Sequence, residues 1–443
     1  MTDTTSLLAD LIAQARRAGA DAADAVLFSG ASLSVQRRLG ATEQVERSEG
    51  RDLGLRVFVG RHAAMVSSTT IDPAGFAALA ERAVAMARVV PEDPEAGLAE
   101  TMALPESVSL DLEDPSEPST EDLVDRAAAA EDAARSVSGV TNSEGADASY
   151  GRAVSHLVTS AGFSGRSVRT SHSVSATALA GAGTAMQRDY DYTSAVYLSD
   201  IDNPESIGRS AGERAVARLH PTRPKTGKYT VIYDPRVAGG MLSHIAGAIN
   251  GAGVARGTSF LKDRMGQSIL PPGIDIYDDP RRVRGLRSRI FDGEGTPTKA
   301  RKLIDNGVLV TWLLDSRSAR QLGLISTGHA ARSASGPPSP SPTNLYMSPG
   351  PLTPVELMAD IAEGVYLTEL IGMGVNGLTG DYSRGAAGFM IRNGQLAEPI
   401  AEITVAGNLM DMFANLTRAN DLIFRRGTDA PTLRIEGLTV AGA

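Results

Sequence analysis

The sequence predicts an α+β chain, with a small N-terminal helix/antiparallel-sheet domain followed by a β-rich, barrel-like C-terminal domain. Three observations point there. Helical apolar stripes near both ends of the first ninety residues enclose strand-like runs. Residues 138–199 alternate with period two through a stretch rich in Ser, Thr, Val and Ala. The second half is dense in glycine and in short hairpin signals.

In chain order, residues 5–18 carry Leu7, Leu8, Leu11, Ile12 and Ala15 on one helical stripe, with Gly19 as a stop. The runs AVLF and SLSVQRRL follow, then LGLRVFVGRHAAMVSS, a hairpin turning at Gly60. A helix from about Pro73 presents Phe76, Leu79, Ala83, Val84 and Met86 and closes a first domain at residues 1–90. The Pro- and acid-rich PEDPEAGLAETMALPE connects to a middle region, 91–225. That region holds a helix N-capped by Ser119 or Thr120, the long antiparallel strands, and a helix over about 203–219. PTRPKTG marks the boundary to a third region, 226–443. There KYTVIYD is a buried strand leading into a helix from Pro235 to about Asn250. Asp305-Asn306-Gly307 and Asn393-Gly394 are hairpin turns, and SASGPPSPSPTN is a loop. Many strands joined by short turns suggest a closed or nearly closed antiparallel barrel.

Composition narrows the function. A net charge of −9 disfavours nucleic-acid binding, which needs clustered Lys and Arg. The one basic run, Arg281, Arg282, Arg284, Arg287 and Arg289, reads as the solvated face of an edge strand, since Arg282 and Arg284, and then Arg287 and Arg289, fall two apart. With no cysteine, disulfides, thiolate metal ligands and a Cys nucleophile are ruled out. The N-terminus lacks a basic segment followed by an apolar one, and no window approaches the ~18 apolar residues of a membrane span. A soluble, cytoplasmic protein with no membrane partner is the expectation.

Two motifs fit a pattern without its context. Gly208-Arg209-Ser210-Ala211-Gly212 matches G-x-S-x-G, but Ser210 falls inside a helix and not on a strand-to-helix elbow. Gly372 to Gly377 matches G-x-G-x-x-G, yet LTGDYSRGAAG after it cannot open a phosphate-binding helix. The six histidines are too far apart for a helix-borne metal pair and read as satisfied structural residues.

Several longer motifs carry more information. GGMLSHIAGAINGAGVARGTSFLKDRMG (239–266), FDGEGTPTKARKLIDNGVL (291–309), GVNGLTGDYSRGAAGFMIRNG (374–394), EITVAGNL (402–409) and the ending PTLRIEGLTVAG stand in one order. Together they resemble the TldD/PmbA family, also called the modulator of DNA gyrase family, and VARGTSF with GDYSRGAAGF resembles its TldE/PmbA type. In the TldD type, the resemblance implies an H-E-x-x-x-H helix plus a Cys ligand, which give a metal, an activated water and a Glu base. Matching Gly247 to the glycine before the second histidine puts Ser243 and Ala248 at the ligand positions and His244 at the base position, a pseudo-active site.

The resemblance thus implies a non-catalytic subunit, inactive alone, with no metal or other cofactor in this chain. Zinc is expected in a TldD-type partner, the two forming a heterodimer that degrades or trims unstructured peptides and peptide precursors. Candidates for contact with peptide or partner are Arg256, Gly257, Thr258 and Ser259, and Asn376, Gly380, Asp381, Tyr382, Ser383 and Arg384. The glycine-rich 374–388 segment would offer backbone for strand addition, and Arg256 would meet a peptide carboxylate. Two alternatives remain open: a homodimeric peptide-binding scaffold without a proteolytic role, and an independent hydrolase using Ser210.

Overall fold

The computed structural model describes residues 4–104 and 108–443, so the last two residues of the predicted connector, Pro105 and Glu106, lie outside the described residues. Helix α1 (Thr4–Arg17) buries Leu8, Leu11, Ile12 and Ala15 of the predicted stripe, with Leu7 partly buried at its margin. Strands β1 (Ala22–Arg38), β2 (Ala41–Val59) and β3 (His62–Ser68) follow, with the second turn at Gly60 as expected. AVLF and SLSVQRRL form one strand, because Ser29 to Ala31 stay extended between two partners: Gly30 pairs with Gly50 on one side and Ala153 on the other. Helix α2 (Phe76–Ala87) completes this part.

Helix α3 (Thr120–Ser136) is capped by Ser119 in a reciprocal bond with Asp122. Strands β4 (Val140–Thr159), β5 (Ser164–Ala180) and β6 (Gln187–Ala195) then join the same sheet, and α4 (Pro204–Ala217) closes the region. The six strands run β3-β2-β1-β4-β5-β6, all antiparallel. One core, including Leu11, Leu55, Val57 and Phe76, lies beneath α1 and α2. A second, including Leu123, Ala148, Val174 and Ile207, lies beneath α3 and α4. The G-x-S-x-G residues are part of this packing: a Cβ on Gly208 would fall 1.9 Å from the Ala130 carbonyl oxygen, so its bare backbone lets α4 press against α3.

The rest of the chain holds a closed barrel, a separate five-stranded sheet and a two-stranded ladder. In chain order this region begins with β7 (Gly227–Tyr233), helices α5 (Pro235–Ala248) and α6 (Gly251–Ala255), and the short strands β8 (Ile276–Asp278), β9 (Arg301–Asp305) and β10 (Val308–Leu309). Helix α7 (Ser316–Gln321), strands β11 (Ala330–Ala331), β12 (Ser339–Pro340) and β13 (Leu345–Met347), and helix α8 (Pro354–Met358) come next. Last are β14 (Glu363–Ile371), β15 (Asp381–Arg392), β16 (Gln395–Asn408), α9 (Leu409–Ala414), β17 (Leu416–Arg418), β18 (Thr428–Asp429) and β19 (Leu433–Ala441). The order β16-β15-β14-β7-β19 closes when β19 pairs back onto β16. The separate sheet is ordered β10-β9-β8-β13-β18, and the ladder is β11-β12. Two pairs depart from the antiparallel expectation: β7 with β14 in the barrel and β13 with β18 in the smaller sheet are parallel. Parallel neighbours need a long crossover, and for β7 and β14 the stretch holding α5 to α8 supplies it. Met241, Leu242 and Ile245 of α5 join Val231, Leu367, Met390 and Val405 in the barrel core. Both predicted Asn-Gly turns hold left-handed backbone, at Asn306 and Gly307 and at Asn393 and Gly394.

The arginine run overturns its reading. Residues 281–289 are turns and not an edge strand, with Arg284 itself at φ 52°. The side chains tie distant segments together: Arg281 to the Thr298 carbonyl at 3.0 Å, Arg284 to Asp111 at 2.6 Å and Arg289 to the Ala330 carbonyl at 3.1 Å. Among the described residues, no helix is long and apolar enough to cross a membrane.

Candidate functional site

Helix α5 starts at Asp234, whose carboxylate accepts from Arg236 N and from the Tyr366 hydroxyl. Pro235 follows at the first helical position. Two faces of this helix carry the positions of interest. Ser243 is exposed on an outer groove of about 440 Å³, its hydroxyl turned back to the Gly239 carbonyl at 3.1 Å. Ala248 is buried and offers no donor atom. His244 turns inward and meets the ring of Tyr382 edge-on, with centroids 5.8 Å apart.

This inner face contains an unusual set of atoms. His244 Nε2 is buried without a hydrogen-bond partner, and the buried hydroxyls of Tyr233 and Tyr382 face each other with no well-formed hydrogen bond to any other group. Burial, and then the positive charge of Arg384, pushes the His244 imidazole down to about 4, so it is neutral at pH 7. Burial raises Tyr382, and burial followed by the neighbouring Tyr382 sends Tyr233 far above the phenol range. Elsewhere, His62 meets the Val90 carbonyl and His329 meets Thr327 and Asp278, whereas His172 sits beside Asp114 with both ring nitrogens buried and lacking a well-formed hydrogen bond.

The residues present do not fit a catalytic zinc, which takes three nitrogen, sulfur or oxygen donors from protein. Ala248 has no donor, Ser243 faces the other side of the helix, and the lone imidazole lies beside a guanidinium. Among the described residues, no three His, Cys, Asp or Glu side chains converge as a metal site.

The two candidate loops meet. Phe260 N donates to the Gly377 carbonyl at 3.1 Å, joining 256–260 to the loop between β14 and β15. Within them, Ser259 is buried, donating to the Ala248 carbonyl at 2.5 Å and accepting from Leu261 N. Thr258 closes back on Gly253, and Gly257 takes the left-handed turn at φ 73°. Asn376 caps its own loop by accepting from Leu378 N, and Gly380 N donates to the Asn376 carbonyl. Asp381 accepts from the Thr379 hydroxyl and the Asn408 amide, which in that order lower its carboxyl. Ser383 N donates to the Gly374 carbonyl at 2.7 Å, and Arg384 reaches the Ile371 carbonyl at 3.3 Å. Both edges of residues 381–388 are therefore occupied, by β16 on one side and by β14 or Gly374 to Asn376 on the other. That segment has no free backbone edge for an added strand. An outer edge without a neighbouring strand occurs on β2, where β3 pairs only with Leu53 to Val59 and leaves Ala41 to Asp52 uncovered.

Arg256 is not part of this cluster. It is exposed and lines a cleft between the N-terminal sheet and the C-terminal region. Sequence reasoning missed two participants: Tyr233, noted only as part of a buried strand, and Glu95, which shares the cleft with Arg256 but sits in a connector.

Comparison with known proteins agrees with this architecture. The family description "PmbA/TldA metallopeptidase C-terminal domain" matches residues 226–442, its central domain residues 113–219, and its domain 1 residues 23–87. Metalloprotease PmbA of Escherichia coli O157:H7 is 36% identical over 425 residues, covering 95% of this chain and 92% of that protein. The PmbA homologue of Haemophilus influenzae is 34% identical over 433 residues, covering 97% and 94%. A crystal structure from Bacteroides thetaiotaomicron, titled as a modulator of DNA gyrase, superposes with a TM-score of 0.90 at 26% identity over all of both chains. TldE of Thermococcus kodakarensis shares the fold at a TM-score of 0.88 and 19% identity, covering 98% of this chain and 100% of that one. The motifs, the closed barrel and these matches place the chain in the TldD/PmbA metallopeptidase family.

Proposed function

We propose that this chain is the non-catalytic, TldE-type subunit of a two-subunit cytoplasmic metallopeptidase that degrades or trims unstructured peptides and peptide precursors. The observation that carries the reading is α5. Where a metallopeptidase helix needs two ligands and a base, it presents a serine on the outer face, a neutral, half-buried histidine beside an arginine, and an alanine. Zinc and the hydrolytic chemistry then come from a homologous partner carrying H-E-x-x-x-H.

The surface supports a partner role. The end of β14 and the loop after it expose Ile371 (58%), Met373 (91%) and Leu378 (62%) beside the polar groups of Asn376 and Asp381. An apolar tip with a polar rim is the composition of a protein–protein contact. The uncovered edge of β2 offers main-chain groups to an extended peptide, which would bind with little sequence preference.

The test is cleavage of an unstructured peptide with zinc present, by this chain alone, by a homologue containing H-E-x-x-x-H alone, and by the two mixed. Cleavage that needs the mixture, with a one-to-one complex by light scattering, is expected. Cleavage by this chain alone, surviving repeated purification, would overturn the proposal. A stable homodimer that binds peptide and ignores the partner would establish the scaffold alternative instead.

A further inference from the structure

A cleft of about 390 Å³ opens where β2 and β3, the connector after α2, and the α6–α7 region come together. Four cationic and four anionic side chains line it: Arg56, Arg256, Arg317 and Arg320 against Asp93, Glu95, Glu294 and Asp315. A wall balanced in this way disfavours a polyanion and suits a ligand carrying one charge of each sign.

Six of the eight charges are already satisfied within the protein. Arg56 binds Asp24 and Glu294, and the second oxygen of Glu294 accepts from Ser316 N at 2.9 Å. Arg317 pairs with Asp93 at 2.6 Å. Arg320 donates to the carbonyls of Glu95 and Gly97 at 2.6 and 3.1 Å. Asp315 accepts from Ser318 N at 2.8 Å. The remaining two, the Arg256 guanidinium and the Glu95 carboxylate, have no side-chain hydrogen bond or ion pair among the described residues.

The backbones of both residues are fixed. Arg256 ends α6, its N–H bonded to the Ala252 carbonyl. Glu95 is held by its own N–H on Asp93 and by Arg320 on its carbonyl, while Asp93 N is anchored to the Arg61 carbonyl. Pro337, Pro340, Ala63 and Ala252 supply apolar surface between the charged groups.

We propose that this cleft binds a short peptide of two or three residues as its zwitterion, the α-carboxylate on Arg256 and the α-ammonium on Glu95. Charge-assisted hydrogen bonds to the two termini provide the anchoring, and a fork-shaped guanidinium matches a carboxylate. The volume lies near the lower end of the 300–1,000 Å³ usual for small-ligand pockets, which limits the length. Peptides of this size are what a peptidase releases, so the site would sense or retain product. The role in holding product rests on the subunit reading, but the binding site itself does not, because the isolated chain is enough to test it.

The experiment is calorimetric titration of the purified chain at low salt with Ala-Ala-Ala in three forms: unblocked, N-acetylated and C-amidated. Each blocking group is expected to weaken binding at least tenfold. Arg256→Ala should bind the acid and the amide alike, and Glu95→Gln should bind the free and acetylated amines alike. Both variants should melt with the parent protein, since neither side chain has a partner to lose. The blocked peptides keep the test intact if a variant misfolds. Equal binding of all three peptides, or no binding at millimolar concentration, would overturn the proposal.

Discussion

Replacing His244 with leucine should make the protein less sensitive to acid. The imidazole titrates near 4 in the fold because burial and Arg384 oppose its charge, whereas an unfolded histidine titrates near 6.5. The folded-state value is the lower one, so between these limits the unfolded chain binds more protons and stability falls as the pH drops. At pH 8 the group costs nothing by this route. At pH 5 the linkage gives a loss of up to about 2 kcal/mol, a ceiling because the ring is only half-buried. The leucine variant lacks this loss. It also removes an orphaned nitrogen, which contributes up to about 1 kcal/mol of stability at any pH. His244→Leu should therefore exceed the parent by about 1 kcal/mol at pH 8 and about 3 kcal/mol at pH 5. Chemical denaturation of both proteins at the two pH values measures this difference, and titrations common to both cancel. Parallel behaviour across the pH range would show that the imidazole is solvated or partnered, and the account of the barrel interior would be wrong.

Three further outcomes are expected. Gly208→Ala should lower stability by about 2 kcal/mol in thermal or chemical unfolding, because its Cβ would strike the Ala130 carbonyl, whereas Ser210→Ala should stay within about 0.5 kcal/mol and leave any peptidase activity of the complex unchanged. Arg332→Met should cost about 3 kcal/mol, because the Arg332 side chain is 1% exposed and its loss leaves the equally buried Asp24 short of a partner; a drop in the denaturation midpoint reads it. Met373→Ser combined with Leu378→Ser should weaken assembly with a TldD-type partner at least tenfold in analytical ultracentrifugation, with the melting temperature unchanged.

Local features were legible in the sequence wherever short-range chemistry decides them. The α1 stripe, the Ser119 cap and both Asn-Gly turns follow from residues a few positions apart. Barrel closure through β19 and β16 and the parallel β7–β14 pair depend on contacts between remote segments, which no window reveals. The arginine run misled because residues two apart look alike in a strand and in successive turns, and its partners Asp111, Thr298 and Ala330 are remote. For the candidate site, the sequence supplied the identities on α5 but not their directions. Helical geometry alone does not place His244 beside Tyr382, more than 130 positions along the chain; the barrel does. Glu95 escaped notice because a connector gains meaning only once Arg317 and Arg320 pin it in place.

The shared six-stranded sheet sets a schedule for biosynthesis. One edge of β1 is satisfied by β2 almost at once, but the other pairs with β4, where Asp24 meets Thr159 about 135 residues later. At about 5–20 residues per second, a ribosome leaves that edge open for roughly 7–27 s. The nascent chain therefore carries a long uncovered strand through that interval, during which it is exposed to chaperones and to neighbouring nascent chains. Slower translation between residues 90 and 140 would lengthen the interval, and its yield cost should appear as aggregation during synthesis while the finished protein keeps its full stability.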